Sequence, residues 1–123
     1  MTESTRELLI KAKALIDTPS KWCRDSYARD AAGEKIKLVC DPRVVSWCIM
    51  GALRAVALRC TDRRWETTYT ACSDVVRRVS SPSDFVKFND APTTTHADVM
   101  ALFDRAIESC DDGCGVMAMM DTA

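Results

Sequence analysis

Apolar residues are densest over 41–60, DPRVVSWCIMGALRAVALRC, the longest such run in the chain. Asp41 can cap a helix with its carboxylate, and Pro42 suits a first helical position, where its missing N–H costs nothing. The residues that follow are apolar nearly all round, with Arg43, Ser46 and Arg54 as a narrow wet line. That pattern predicts a buried central helix. Gly51 weakens a helix unless another backbone comes close, so a neighbouring helix is expected to cross there. The run is too short for a membrane span, and Arg54 interrupts it.

On either side the periodicity is clearer. Ser4 and Glu7 fit a capping box. Leu8, Leu9, Ala12, Leu15 and Ile16 then form one face of a first helix that ends before Pro19. Trp22 is expected to anchor in the core beside that helix end. Tyr27, Ile36 and Leu38 give a partial period of two around Asp30-Ala31-Ala32-Gly33, which predicts a short β-hairpin or an irregular insert, with Gly33 at a positive φ. Trp65, Tyr69, Cys72, Val75, Val76 and Val79 recur at three and four residues and predict a third helix, with Glu66, Ser73 and Asp74 facing water. Asp84–Phe88 reads as a strand fragment or one helical turn, and Asn89-Asp90-Ala91-Pro92 as a turn. Thr95 and Asp98 open a fourth helix whose inner face is Val99, Leu102, Phe103, Ala106 and Ile107. Asp111-Asp112-Gly113 should stop it near Cys110.

The expectation is a mostly α, four-helix single domain over 1–113, built around the central helix with the small insert between the first two, and a C-terminal tail over 114–123. A chain of 123 residues with 47% hydrophobic and 28% charged residues suits one soluble domain. A net charge of -1 and a pI near 5.8 argue against wholesale nucleic-acid binding. The start, MTESTRELL, has no basic segment followed by an apolar run, so no signal peptide is expected. Seven cysteines, an odd number, then read as reduced thiols in the cytoplasm.

Several short marks, taken in order, add to this. Trp22, Tyr27-Ala28-Arg29-Asp30 with Gly33, Cys48-x-x-Gly51-Ala52-Leu53, Phe88-Asn89-Asp90, Thr95-His96 and Ala106-Ile107 span roughly residues 8 to 109. In these the chain resembles a family of small uncharacterised proteins of bacteria and their phages, designated domain of unknown function 6197. It departs from the family pattern at Phe88, where tryptophan is usual, and lacks a glycine just after Trp22. The resemblance implies a small helical domain in phage or mobile-element company, and brings no activity and no catalytic residues.

Candidate chemistry is sparse. Zinc would need close thiol pairs, but the only close pair is Cys110 and Cys114. Cys23 and Cys40 would have to come from afar, so inert thiols are favoured, with no metal and no cofactor. A cysteine nucleophile would need His96, the single histidine, which reads more simply as a first-turn surface residue. Asn89 and Asp90 could join Asp98 in acid–base or cation chemistry, and read more simply as a turn. Arg54, Arg59, Arg63 and Arg64 cluster near the junction of the second and third helices and could meet an anionic surface. Met117, Met119 and Met120 in the tail are adaptable apolar contacts that call for a cover.

The leading expectation is a non-enzymatic interaction module whose partner is a host protein or a second copy. From the family's company, that module is expected to inhibit or modulate a host protein such as a CRISPR or other defence complex. The alternatives are a small cytosolic enzyme using Asp90, His96 or a cysteine, and nucleic-acid binding through Arg54–Arg64. An enzyme should gather Asn89, Asp90 and His96 in one cleft.

Overall fold

Helix α1 (Thr5–Leu15) begins as its sequence predicts. The Ser4 hydroxyl accepts from the Glu7 N–H at 3.1 Å, and the Glu7 carboxylate accepts from the Ser4 N–H at 2.9 Å. Leu8, Leu9, Ala12 and Ile16 are buried along its inner side. The computed structural model describes residues 4–60, 65–80 and 84–115, apart from the side chains of 60 and 111–115. Within them, a 3-10 turn (Pro19–Lys21) leads into strands β1 (Ala28–Asp30), β2 (Lys35–Ile36) and β3 (Val44–Trp47). Helices α2 (Ile49–Cys60), α3 (Trp65–Val79), α4 (Phe85–Asp90) and α5 (His96–Gly115) follow. The fold is mostly helical with a small antiparallel sheet in the order β2-β1-β3.

The hairpin between β1 and β2 forms at the expected place. Gly33 has φ +84°, and the Asp30 carboxylate accepts from the N–H groups of Ala32 and Glu34 at 2.9 Å each. This is the self-bonding that makes aspartate a turn residue.

The central stretch is not one helix. Its first part is strand β3, and the helix starts only at Ile49. The Asp41-Pro42 pair opens a tight turn instead of a helix. The Val44 N–H donates to the Asp41 carbonyl at 3.1 Å, and the Asp41 carboxylate takes the Arg43 N–H at 2.8 Å. Proline second in a turn and aspartate first are as well suited as they are at a helix start. Val44, Val45 and Trp47 then favour the pleated conformation. Ser46, expected on a wet line, is 6% exposed because it stands opposite Arg29 inside the sheet.

Helix α2 packs on α1 and α3, α5 packs on the same two, and α4 lies against α2. The five α-helices among the described residues replace the expected four. Gly51 is indeed a close-approach position, but the neighbour is a strand-side backbone and not a helix. A Cβ there would stand 1.9 Å from the Tyr27 carbonyl oxygen. Ser73 is buried, bonding the Thr70 carbonyl at 3.0 Å, where water contact was expected. Asp84–Phe88 becomes the start of α4, capped by Asp84, which accepts from Val86 and Lys87 at 3.1 and 3.2 Å. Asn89 and Asp90 therefore close a helix and are not the turn, which follows them. Thr95 and Asp98 exchange bonds at 2.9 and 3.1 Å and start α5. That helix runs past the expected end near Cys110 to Gly115, so position 113 lies inside it. One internal glycine costs only about 1 kcal/mol, too little by itself to end a long helix.

Candidate interaction surface

Asn89 ties three parts of the chain together. Its Oδ1 accepts from the Trp22 indole N–H at 2.8 Å and from the Ile49 N–H at 3.0 Å. Its Nδ2 donates to the Cys23 carbonyl at 3.1 Å and to the Asp90 carboxylate at 2.9 Å. A side-chain amide has two acceptor sites and two donors, so Asn89, at 1% exposure, is fully paired. Ile49 opens α2, and its N–H is one of the orphan donors of a helix start. Asn89 therefore caps α2 from α4. The remaining α2 start is closed by its own neighbours, the Gly51 N–H reaching the Cys48 sulfur at 3.2 Å and the Cys48 N–H the Tyr27 carbonyl at 3.2 Å.

The other polar residues singled out from the sequence serve the same junction. Asp90 accepts the Asp25 N–H at 2.9 Å, fixing Asp25 at φ 62°. His96 Nε2 stands 2.7 Å from the Ile16 carbonyl at the end of α1, with its ring 6.1 Å from that of Trp22. Arg24 lies over Trp22 at 4.6 Å and donates to the Thr94 carbonyl. Arg29 donates to the carbonyls of Gly33 and Arg24 at 2.8 and 2.9 Å. Asn89 and His96 thus stand beside Trp22, and Asp90 joins them only through its bond to Asn89. Of the three, only Asp90 lines the cavity of about 430 Å³ formed with Tyr27, Ile36, Cys48, Met50 and Val86.

Burial pushes the Cys48 thiol up to about 11 and the Cys72 thiol to about 12, and raises Cys23 as well. Such thiols carry almost no thiolate near neutral pH, so they are poor nucleophiles and poor ligands. Cys23, Cys40, Cys48 and Cys72 form no disulfide. Among the described residues no three His, Cys, Asp or Glu side chains gather to hold a metal. The Cys114 side chain lies outside them.

The expected arginine cluster divides. Arg59 lies over Trp47 at 5.8 Å, while Arg54 sits among three rings, 5.0 Å from Tyr27, 5.3 Å from Tyr69 and 5.8 Å from Trp65. Five residues apart on α2, the two point in different directions. Arg63, Arg64, Met117, Met119 and Met120 lie outside the described residues. Among those residues Arg54 has no carboxylate partner, and its Nε is buried without a hydrogen bond. Burial raises the Tyr69 hydroxyl, and Arg54 beside it pulls the other way. Tyr69 also lines a second cavity, of about 350 Å³, which shares Met50 and Val86 with the first. The sequence reading missed this aromatic surround. The four-residue spacing of Trp65 and Tyr69 was visible, but both were assigned to the core, and nothing local brings Tyr27 to them.

The family model described as a family of unknown function, DUF6197, matches residues 1–109. The chain belongs to that family. No curated protein and no solved structure matches it. The marks through which the chain resembles the family are mostly parts of the junction: Trp22 and Asn89 bond each other, Gly51 meets Tyr27, and Thr95 caps α5. Ala106 is buried in the core with Ile107 packed against it. Arg54, Trp65, Tyr69, Met50 and Val86 are not among those marks, so the ring-lined face lies largely beside them.

Proposed function

We propose that this domain is a non-enzymatic protein-interaction module whose contact face centres on Arg54 and the rings of Tyr27, Trp65 and Tyr69. The observation that carries this reading is the Arg54 cation, without a carboxylate partner among the described residues, held among three aromatic rings beside two cavities with a common Met50–Val86 wall. Tyrosine, tryptophan, arginine and methionine are the residues enriched where proteins bind one another. Rings already stacked on a cation lose little further freedom on binding, which favours affinity. The raised thiols and the structural bonding of Asn89 and His96 support this reading over the enzymatic one. The separation of Arg54 from Arg59 gives no support to an extended phosphate-binding stripe. On this reading the partner is a host protein, and its place among phage-linked modulators of defence complexes rests on the family's company alone.

A photoreactive amino acid at Tyr69, introduced in cells that carry the gene, tests this. The expected result is a covalent adduct with one protein, absent when the same group replaces the exposed Ala101 on α5. Equal labelling from both positions would remove the face from consideration, and an adduct to nucleic acid would turn the reading to that class.

A further inference from the structure

The cavity of about 430 Å³ is bordered by β2, which is the outer strand of the sheet, by the start of α2 and by α4. Tyr27, Ile36, Met50 and Val86 give it an apolar wall. Four charged residues line it as well, and they fall into two pairs. Lys35 and Lys37 flank Ile36. Asp25 and Asp90 are held together, because the Asp90 carboxylate at the end of α4 accepts the Asp25 N–H at 2.9 Å. Two ammonium groups and two carboxylates sum to zero, yet they do not bridge. Among the described residues the Asp25 carboxylate meets no cation, Asp90 accepts only from the Asp25 N–H and the Asn89 amide, and neither lysine meets a carboxylate. Opposite charges are thus kept apart around one apolar space. Asp25 is also the described non-glycine residue at positive φ, 62°. Residues held in such sparsely populated backbone regions cluster at ligand clamps.

We infer that this cavity binds a small zwitterion with an apolar body: an α-amino acid with an apolar side chain, free or in a dipeptide. Its ammonium group faces Asp25 and Asp90, and its carboxylate faces Lys35 and Lys37. A carboxylate that accepts an N–H keeps its charge, so Asp90 counts in full. A ligand with only a negative group would meet two carboxylates, and one with only a positive group would meet two ammonium groups. Like charges brought together reject the wrong ligand as surely as opposite charges hold the right one. Only a ligand with both signs turns all four residues to attraction. Its side chain would cover Tyr27, Met50 and Val86. Small-molecule sites run from about 300 to 1,000 Å³, mostly apolar with a few placed polar groups, and this cavity lies at the small end of that range. The lysines also border a second cavity, of about 460 Å³, but there Asp41 and Arg43 already bridge each other at 3.0 Å. The inference adds a small-molecule site to the interaction reading and does not depend on it.

The test is a titration of the isotopically labelled protein with L-leucine and with L-leucyl-L-leucine, followed by amide NMR. Saturable shifts at Tyr27, Met50 and Val86 are expected, with none at Ala101. Binding of leucine assigns the free amino acid, and binding of the dipeptide alone assigns the longer zwitterion. N-acetyl-leucine keeps only the negative charge, and leucinamide in slightly acidic buffer only the positive one. Each should bind at least about tenfold more weakly than the zwitterion. Asp25→Asn tolerates the same φ and keeps the N–H that Asp90 accepts, and it should narrow the preference over N-acetyl-leucine. A Lys35→Gln/Lys37→Gln variant keeps its fold, since both side chains are exposed, and it should narrow the preference over leucinamide. Equal binding of the capped compounds, preferences that neither variant moves, shifts centred elsewhere, or no shift with either zwitterion at roughly 10 mM would overturn the proposal. The Tyr69 adduct is expected in either case, so failure here leaves the interaction module standing.

Discussion

The junction at Asn89 and the face around Arg54 and β2 treat polar groups in opposite ways. At the junction each donor and acceptor of the Asn89 amide is used, and used far from water. Around Arg54 and β2, a guanidinium nitrogen and a row of backbone groups are left without protein partners among the described residues. Both regions contain tryptophan, arginine and short sheet segments, so composition does not tell them apart. A buried guanidinium Nε without a bond occurs in both, on Arg24 and on Arg54, so the difference lies in the amide groups: the fold closes those of Asn89 and leaves those on the outer edge of β2 open. A closed set specifies one structure, while an open set keeps something to offer a partner.

That contrast is broken most directly at Asn89. Asn89→Ala would orphan the Trp22 indole N–H, the Ile49 N–H and the Cys23 carbonyl together. Each unsatisfied buried group costs about 1–3 kcal/mol, so the variant should lose at least about 3 kcal/mol in chemical denaturation. A loss below about 1 kcal/mol would mean that water replaces the amide and that the junction is not closed. Asn89→Asp tests the same point by charge. It would set two carboxylates side by side and face an acceptor to the Cys23 carbonyl, and it should not rescue the stability.

Gly51→Ala comes next. The new methyl would collide with the Tyr27 carbonyl oxygen, 1.9 Å away, and that backbone is held by the Cys48 N–H. Overpacking of this kind typically costs about 1–3 kcal/mol, read as a lowered melting temperature. A melting temperature at or above that of the parent protein would show that the β1 approach can slide off α2 freely.

The smallest effect is expected where a polar pair is formed but stays in water. The Arg43 guanidinium, bonded to Asp41 at 3.0 Å, holds that carboxyl near a pKa of about 2, below its ordinary 3.8. A carboxylate with a lowered folded-state value stabilises the fold above its unfolded value, and the contribution is lost as pH falls through the folded one. The turn before β3 should therefore add stability fully above pH 4 and lose it toward pH 2. Arg43→Ala should flatten only that part of the acid-unfolding curve, by little, because the pair is exposed. An equal change at pH 7 and pH 2.5 would assign the effect to the turn backbone instead of the charge.

The helices with strong periodicity were legible from the sequence, and so were the caps at Ser4–Glu7 and Thr95–Asp98 and the turn at Gly33. Each depends on residues a few positions apart. The split of the central run was not legible, and the reason is physical. A helix start is recognised by a nearby side chain that accepts its first N–H groups, and the cap of α2 arrives from Asn89, 40 residues away. With Asp41-Pro42 offering a local and plausible start, the strand in between was absorbed into the helix. The candidate face was hidden for a related reason. Trp65 and Tyr69 belong to one helical stripe that reads as core, and only the path of the hairpin shows that Tyr27 and Arg54 complete it on the surface. Asn89, His96 and Asp90 were visible as polar residues worth inspecting, but their roles depend on Trp22, Ile16 and Asp25.

The cap that α4 supplies to α2 also bears on how the chain finds its fold. The contacts that define the junction close loops of 40 and 67 residues, from Ile49 and from Trp22 to Asn89. Loop closure is a toll on entropy that has to be met before such contacts return anything. The first turn of α2 therefore gains its acceptor only when α4 docks. A six-residue helix, too short to hold its shape alone in water, becomes the piece whose arrival lets the strand end and the helix begin. Sheet and bundle are joined at that point into one cooperative unit, and the Trp22 indole, bonded to the same amide, sits where its fluorescence would register the moment of joining.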